Sequence, residues 1–147
     1  MIILIKNLAK NLLKLIIKIL NFIFKKKFLF LTSSILNETY EQIKINNKNI
    51  KFFSPNELVS WRIKTFFYKE PETLRFINKF NNKNKIIFWD IGANIGLYTI
   101  YATTIHKNIE VISFEPSVNN LRILVRNISK NNLQKKLKLL HCHFQIK

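Results

Sequence analysis

Residues 1–24 carry apolar and polar side chains at the spacing of an α-helix. At 100° per residue, every polar side chain falls within one sector of about 140°, and the remaining surface is almost entirely Ile, Leu and Phe. Three lysines follow at 25–27 and a second apolar run at 28–31. The pattern predicts an amphipathic basic helix whose polar side is formed by Lys6, Asn7, Lys10, Asn11, Lys14, Lys18 and Asn21.

This segment is a poor candidate for a membrane span, because each of its lysines would cost about 2.5–3.5 kcal/mol at the middle of a bilayer. It is also a poor secretory signal, since charges interrupt the apolar region and no small-residue cleavage site follows. Two interpretations remain open. Residues 1–31 lie in the surface of an anionic membrane, or they pack on the rest of the protein or on a second subunit.

Two short apolar runs flank the asparagine-rich stretch 46–49. Apolar runs on either side of such a turn are typical of a β-hairpin, here over residues 40–53. The polar run 81–85 predicts a linker into the last part of the chain. We therefore expect three segments: the basic helix at 1–31, a hairpin-and-helix region at 32–85, and an α/β domain at 86–147.

Two helix starts are predicted inside the middle segment. Ser54 is a candidate cap, with Pro55 at the first helical position and Glu57 three residues after the serine. The helix that follows is predicted to bury Leu58, Trp61 and either Thr65 or Phe66. A second helix starts at Pro71, with helical spacing of Leu74, Ile77 and Phe80.

From Ile86 onward the pattern alternates between strand and helix, which favours a parallel sheet. We expect strands at 86–90, 110–115 and 136–142, and helices at 95–106 and 118–130. The first strand is apolar on both faces, as in a strand covered by helices on both sides. The predicted fold is the N-terminal half of a doubly wound, Rossmann-like α/β sheet. The predicted helix ends are a cap at Asn94, a left-handed stop at Asn108 and a cap at Ser117.

The chain has 147 residues, 48% hydrophobic content and a net charge of +17. The positive charge is concentrated only in residues 1–31, which contain seven lysines and no acid. In the rest of the chain the excess of basic over acidic residues is spread evenly, and the frequent use of Lys, Asn, Ile and Phe is typical of a coding bias. A nucleic-acid surface would need basic residues clustered with stacking aromatics, so this partner is disfavoured. Cys142 is the only cysteine, which excludes an internal disulfide and fits a reducing cytoplasm.

The only two glycines are Gly92 and Gly96, between the first predicted strand and the helix after it. Glycine allows positive φ angles and a close approach of the backbone to a ligand. A third glycine, which pyrophosphate-binding dinucleotide sites use, is absent, and so is the Gly-Lys-Ser/Thr of a phosphate loop. The turn therefore suits an adenosine ligand without a pyrophosphate.

Two acids end the neighbouring strands beside this turn. Asp90 closes the first strand, and Glu115 closes the second, about 20 residues after the glycines, where an acid accepts hydrogen bonds from ribose hydroxyls. Taken alone, Asp90 is equally well explained by a local turn role and Glu115 by a solvated strand end. Their occurrence together with the glycines favours a ligand site.

The stretches 88–99 and 113–116 resemble the FkbM-type family of S-adenosylmethionine-dependent methyltransferases. Further similar stretches are Trp61-Arg62, 69–74, 119–121 and 131–133, so that the resemblance covers about residues 50–142. It implies a class I methyltransferase fold with S-adenosyl-L-methionine as cofactor, and methylation of a hydroxyl on a sugar or other small molecule. By resemblance, Asp90, Gly92, Asn94 and Gly96 line the methionine and adenosine side, and Glu115 holds the ribose.

The resemblance identifies no catalytic base, and the reaction requires no metal. It mainly requires the acceptor oxygen to be positioned in line with the methyl group and a place for its proton. His141, Cys142 and His143 are a weak metal motif, because strand alternation points Cys142 away from both histidines. A complete core of this family has many more strands than three, and 141–147 depart from its usual continuation. We therefore expect a truncated fragment with weak or no methyl transfer alone.

Two alternatives to a small-molecule methyltransferase remain. One is a nucleic-acid methyltransferase, motivated by the positive charge, and the other is a non-catalytic remnant that associates with membranes through residues 1–31. The expected location is the cytoplasm, with peripheral contact at the inner membrane face.

Overall fold

The computed structural model describes residues 2–24, 27–81 and 83–140. The chain divides into two compact units, Met1–Thr39 and Tyr40–Lys147. The boundary follows the second helix, and the hairpin region lies in the same unit as the parallel sheet.

The first unit consists of two helices, α1 (Ile2–Ile23) and α2 (Lys27–Leu36). The helix predicted over residues 1–24 is confirmed as α1, whereas the residues from 27 onward belong to the separate helix α2 and Lys25 and Lys26 lie outside the described residues. Many apolar side chains of α1 are exposed, with Leu8 at 73% and Phe22 at 88%. None of the helices in the described part of the chain combines the length and apolarity that a membrane crossing requires.

The second unit begins with an antiparallel hairpin formed by β1 (Tyr40–Ile45) and β2 (Lys48–Phe53). Asn46 and Asn47 both have positive φ angles, 47° and 61°. Two consecutive positive φ angles make the two-residue turn that best matches the twist of a hairpin, and asparagine tolerates this conformation better than most residues. The predicted hairpin is confirmed.

Three short helices follow: α3 (Glu57–Lys64), α4 (Phe66–Lys69) and α5 (Pro71–Asn78). The predicted cap at Ser54 is wrong, because the Oδ1 of Asn56 accepts the hydrogen bond from Val59 N at 3.0 Å and the helix starts two residues later. The predicted start at Pro71 is confirmed.

The buried face of α3 also differs from the prediction. Val59 and Ile63 lie in the core, whereas Leu58 and Trp61 are about half exposed. The prediction for Leu58 and Trp61 is therefore wrong, while Phe66 is buried as expected.

The last part is a parallel sheet with the order β3-β4-β5: β3 (Ile86–Ile91), β4 (Ile109–Phe114) and β5 (Leu137–Leu140). Helix α6 (Leu97–Ile105) connects the first two strands, and α7 (Val118–Lys130) with a short 3-10 turn connects the last two. This βαβαβ arrangement confirms the predicted α/β class and parallel half-sheet. Residues 141 and 142, which were predicted to extend β5, lie outside the described part of the chain.

Two of the three predicted caps in this region are wrong. The residue that caps the start of α6 is Gly96, with a φ angle of 85°, and not the predicted Asn94. At its other end α6 is followed by His106 in an extended conformation, and not by the predicted left-handed Asn108. Ser117 does cap α7, since its Oγ accepts a hydrogen bond from Asn120 N.

One face of β3 is exposed, contrary to the prediction of helices on both sides. Ile86 and Phe88 pack against the core that α5 and α6 help to form. Ile87, Trp89 and Ile91 point the other way and are 60%, 59% and 72% exposed. In the described part of the chain β3 also pairs with a strand on one side only.

Candidate functional site

The turn between β3 and α6 brings backbone amides to the end of the sheet. Gly92, Asn94 and Gly96 all have positive φ angles, at 79°, 54° and 85°. The amides of Gly92 and Ala93 both donate to the carbonyl of Phe114 at 2.9 Å, which ties the start of the turn to the end of β4. These two main-chain hydrogen bonds hold the start of the turn against the neighbouring strand.

Asn127, which the sequence did not single out, holds the other end of the turn. Its side chain is fully buried, donates from Nδ2 to the carbonyl of Ile95 at 2.8 Å and accepts from Phe53 N at 2.7 Å. One amide therefore joins α7, the turn and the hairpin. An asparagine on the apolar face of a helix is the sequence signal that would have indicated such a role.

The two glycines of the turn have different surroundings. A Cβ on Gly92 would meet no atom within 4 Å, so the bare backbone there faces open space. A Cβ on Gly96 would overlap Cδ1 of Leu124 on α7. Gly92 is thus where a ligand can approach the main chain, whereas Gly96 lets α6 pack closely on α7.

Glu115 lies directly beside the turn and is only 4% exposed. Its Oε2 accepts from Asn94 N at 2.6 Å, and its Oε1 accepts from Ser117 N at 2.7 Å and from Asn120 Nδ2 at 3.4 Å. Backbone donors thus fix the carboxylate at the carboxyl end of β4. The structure brings Glu115 and the turn together, as a shared ligand site requires.

Asp90 is also buried, at 8% exposure, but it faces the junction of the sheet and α6. Thr99 Oγ1 donates to Asp90 Oδ2 and lies 2.7 Å from Ser113 Oγ. Burial raises the pKa of the Asp90 carboxyl, and the hydrogen bond from Thr99 opposes that rise. These contacts give Asp90 a role in holding the end of β3 onto α6.

A cleft of about 180 Å³ opens next to Gly92 and Asn94. Arg62 of α3 enters it and donates from Nη1 to Asn94 Oδ1 at 2.9 Å. Glu70 and Tyr98 also line it, joined by a 2.8 Å hydrogen bond from the tyrosine hydroxyl to Glu70 Oε2. The sequence placed Arg62 and Glu70 only in stretches of family resemblance, and Tyr98 directly after the glycines.

The residues present fit a nucleoside that carries an amino-acid chain. Gly92 offers bare backbone, and Glu115 offers a fixed carboxylate whose Oε2 accepts one hydrogen bond and keeps a second lone-pair site. Among the described residues, no group of three His, Cys, Asp or Glu side chains lies close enough together to hold a metal ion. The weak motif at 141–143 lies outside them.

No family model matches the chain. It is 31% identical over 77 residues to methyltransferase sdnD of Sordaria araneosa, a match that covers 52% of this chain and 30% of that protein. Similar solved structures include a precorrin-6Y C5,15-methyltransferase from Geobacter metallireducens, with 20% identity, a TM-score of 0.44, and coverage of 51% of this chain and 39% of that one. An S-adenosylmethionine-dependent methyltransferase from Aquifex aeolicus gives 16% identity, a TM-score of 0.43, and coverage of 56% and 46%.

Proposed function

We propose that this chain forms the methyl-donor side of an S-adenosylmethionine-dependent methyltransferase of the FkbM type. The observation that carries the proposal is the open backbone at Gly92, two residues before Asn94, whose amide donates to the Glu115 carboxylate. Similarity to methyltransferase sdnD supports it from an independent direction. Asp90 and Gly96 shape this site through contacts with Thr99 and Leu124. Gly92 and Asn94 line the cleft, and Glu115 adjoins them through its bond to the Asn94 amide.

Each lining residue has a task that its chemistry allows. The Glu115 carboxylate accepts a hydrogen bond from a ribose hydroxyl in addition to its present donors, because it has about four lone-pair sites and three are in use. Gly92 lets the nucleoside lie against the main chain without a Cβ in the way. When bound, the cofactor supplies an electrophilic methyl group on a positively charged sulfur. The protein then needs only to align an acceptor oxygen with it and to accept the proton that this oxygen loses.

Binding of S-adenosylhomocysteine, the demethylated product, tests the proposal. We expect ligand-observed NMR to detect binding to the 147-residue chain and Glu115→Gln to weaken it at least about 10-fold, as the loss of hydrogen bonds to a charged group predicts. The matched control is Glu110→Gln, which removes the charge of an acid near the start of β4 that pairs with Lys85 and Lys138. Absence of binding to the wild type, or equal losses in both variants, would contradict the proposal.

The acceptor is a small molecule with a hydroxyl group, for which a sugar is our first candidate. This choice follows from the FkbM resemblance of residues 88–99 and 113–116. Transfer of a labelled methyl group to a panel of free sugars, amino sugars and RNA tests it. We expect at most slow transfer, and to the sugars; faster transfer to RNA would support the nucleic-acid alternative.

We also propose that residues 1–31 contact an anionic membrane surface, which would place the protein peripherally on the cytoplasmic side of a membrane. The supporting observation is that α1 exposes lysines such as Lys10 and Lys14 as well as apolar side chains such as Leu8. Each lysine near an anionic surface contributes about 1 kcal/mol.

Co-sedimentation with vesicles tests the membrane contact. Lys10→Glu/Lys14→Glu is expected to weaken binding to vesicles that contain phosphatidylserine by at least about 10-fold, because each substitution replaces attraction with repulsion. The control Lys79→Glu/Lys83→Glu changes the same charge in the second unit. If both pairs reduce binding equally, general positive charge explains it and a specific role of α1 is excluded.

A further inference from the structure

Arg62 is a partly buried cation that has no acidic partner among the described residues. Its guanidinium donates from Nη1 to the neutral amide oxygen of Asn94, and no carboxylate of the described residues lies within ion-pair distance of it. Three lysines of the same unit, by contrast, contact Glu41 or Glu110 within 3.2 Å. A guanidinium carries five N–H donors in a planar fork that matches a carboxylate. Arg62 therefore provides, at the wall of the cleft, the complement of an anionic group.

Glu70 supplies the opposite charge to the same cleft. Its Oε2 accepts the hydrogen bond from Tyr98, and its Oε1 lies 4.0 Å from Lys69 Nζ. Burial, and then the hydrogen bond to Glu70, raise the pKa of the Tyr98 hydroxyl, so it stays protonated and keeps donating. The carboxylate is thus held in one place and retains lone pairs for a cationic group.

The size of the cleft limits what these charges can bind. At about 180 Å³ it is smaller than the roughly 300–1,000 Å³ of pockets that enclose a whole drug-sized ligand. It has room for a short chain that carries one carboxylate and one ammonium group. It also adjoins Gly92 and Asn94, so such a chain would continue toward the nucleoside position beside Glu115.

From this geometry we infer that Arg62 and Glu70 recognise the zwitterionic amino-acid end of the methyl donor, Arg62 binding its carboxylate and Glu70 its ammonium group. The inference rests on the proposed function, because it assumes that the nucleoside lies at Gly92 and Glu115. It assigns recognition to α3 and to the residue that precedes α5, outside the parallel sheet.

The test compares two ligands that share the nucleoside. S-adenosylhomocysteine carries the amino-acid end, and 5′-methylthioadenosine lacks it. With the 147-residue chain, Arg62→Met is expected to weaken S-adenosylhomocysteine binding at least about 10-fold, the usual worth of a charge-assisted contact, and to leave 5′-methylthioadenosine within about 2-fold. Arg75→Met is the matched control, since Arg75 is exposed on α5 and away from the cleft.

Equal losses for both ligands in Arg62→Met would overturn the inference and leave the proposed function standing. Failure of the wild type to bind either ligand would overturn both. If Arg62→Met does not fold, the test uses the wild type and compares its affinities for S-adenosylhomocysteine and for the decarboxylated analogue of this ligand. Removal of the ligand carboxylate must then weaken binding at least about 10-fold, and unchanged affinity overturns the inference.

Discussion

The two ends of the glycine turn have nearly the same backbone conformation and opposite surroundings. Gly92 and Gly96 have φ angles of 79° and 85°, yet the first faces a cleft and the second faces Leu124. The cleft end is open to a ligand, whereas the core end is closed by packing. The comparison shows that two glycines of one motif can serve binding and folding separately. Substitutions should therefore separate the two roles.

The largest effect is expected for Gly96→Ala. A left-handed backbone and an overpacked core each cost about 1–3 kcal/mol, so the free energy of unfolding should fall by about 2–6 kcal/mol in urea titrations. Leu124→Ala makes space for the new methyl group. The double variant should therefore lose clearly less free energy of unfolding than the sum of the losses in the two single variants. A loss equal to that sum would show that the Leu124 side chain is not what excludes a Cβ at position 96.

Glu115→Gln should have the next largest effect on stability. The side chain loses a charged acceptor for the amides of Asn94 and Ser117, and hydrogen bonds to charged groups contribute about 1.5–3 kcal/mol. The free energy of unfolding should fall by about that amount. Glu110→Gln, near the start of β4, should change it little, because the lysines that pair with Glu110 are mostly exposed and such pairs contribute little. Similar losses in both variants would place Glu115 outside the network that supports the turn.

Gly92→Ala should cost only about 1–2 kcal/mol, because the new Cβ meets no neighbour and only the left-handed φ angle opposes it. Its affinity for S-adenosylhomocysteine should nevertheless fall at least about 10-fold, since the methyl group occupies the space that a ligand needs. Calorimetry and urea titration on the same preparation measure both quantities. A greater loss of stability than in Gly96→Ala would reverse the comparison.

The smallest effect is expected from the ionisation of Asp90 on the core side of the turn. Because burial raises its pKa, the folded chain binds this proton more tightly than the unfolded chain does. The contribution to the free energy of unfolding is therefore largest at low pH, and it decreases as the pH rises from the unfolded pKa through the raised folded pKa. Urea titrations between pH 3 and 7 should show a smaller decrease in Asp90→Asn. An identical pH dependence in both proteins would contradict this assignment.

Much of the fold follows from periodicity and turn chemistry. The βαβαβ order, the start of α5 and the asparagine turn of the hairpin depend on local patterns and were predicted. Helix ends were predicted less well, at Asn94 and Ser54, because several residues in a row qualify as caps and tertiary packing selects one of them. The buried face of α3, formed by Val59 and Ile63, was also missed, because packing against the rest of the unit decides which face is covered.

The candidate site divides in the same way. The proximity of Glu115 to the turn could be expected, because parallel strands end at the same edge of a sheet. The position of Arg62 could not, since a contact with Asn94 across 32 residues depends on how α3 packs against the turn. The exposed face of β3 was also missed. Its apolar residues indicate a covered strand, and the helices of the described residues cover only the face of Ile86 and Phe88.

The exposed face of β3 has a practical consequence for spectroscopy. The chain has only two tryptophans, and Trp89 lies on that face. The other, Trp61, has the Lys69 ammonium group 5.0 Å from the centre of its ring. Both indoles are about half exposed, at 59% and 49%, so intrinsic fluorescence should report events at the surface more than melting of the core. Quenching by iodide and by caesium ions can then separate the two emitters, because the positive charge beside Trp61 attracts the anion and repels the cation.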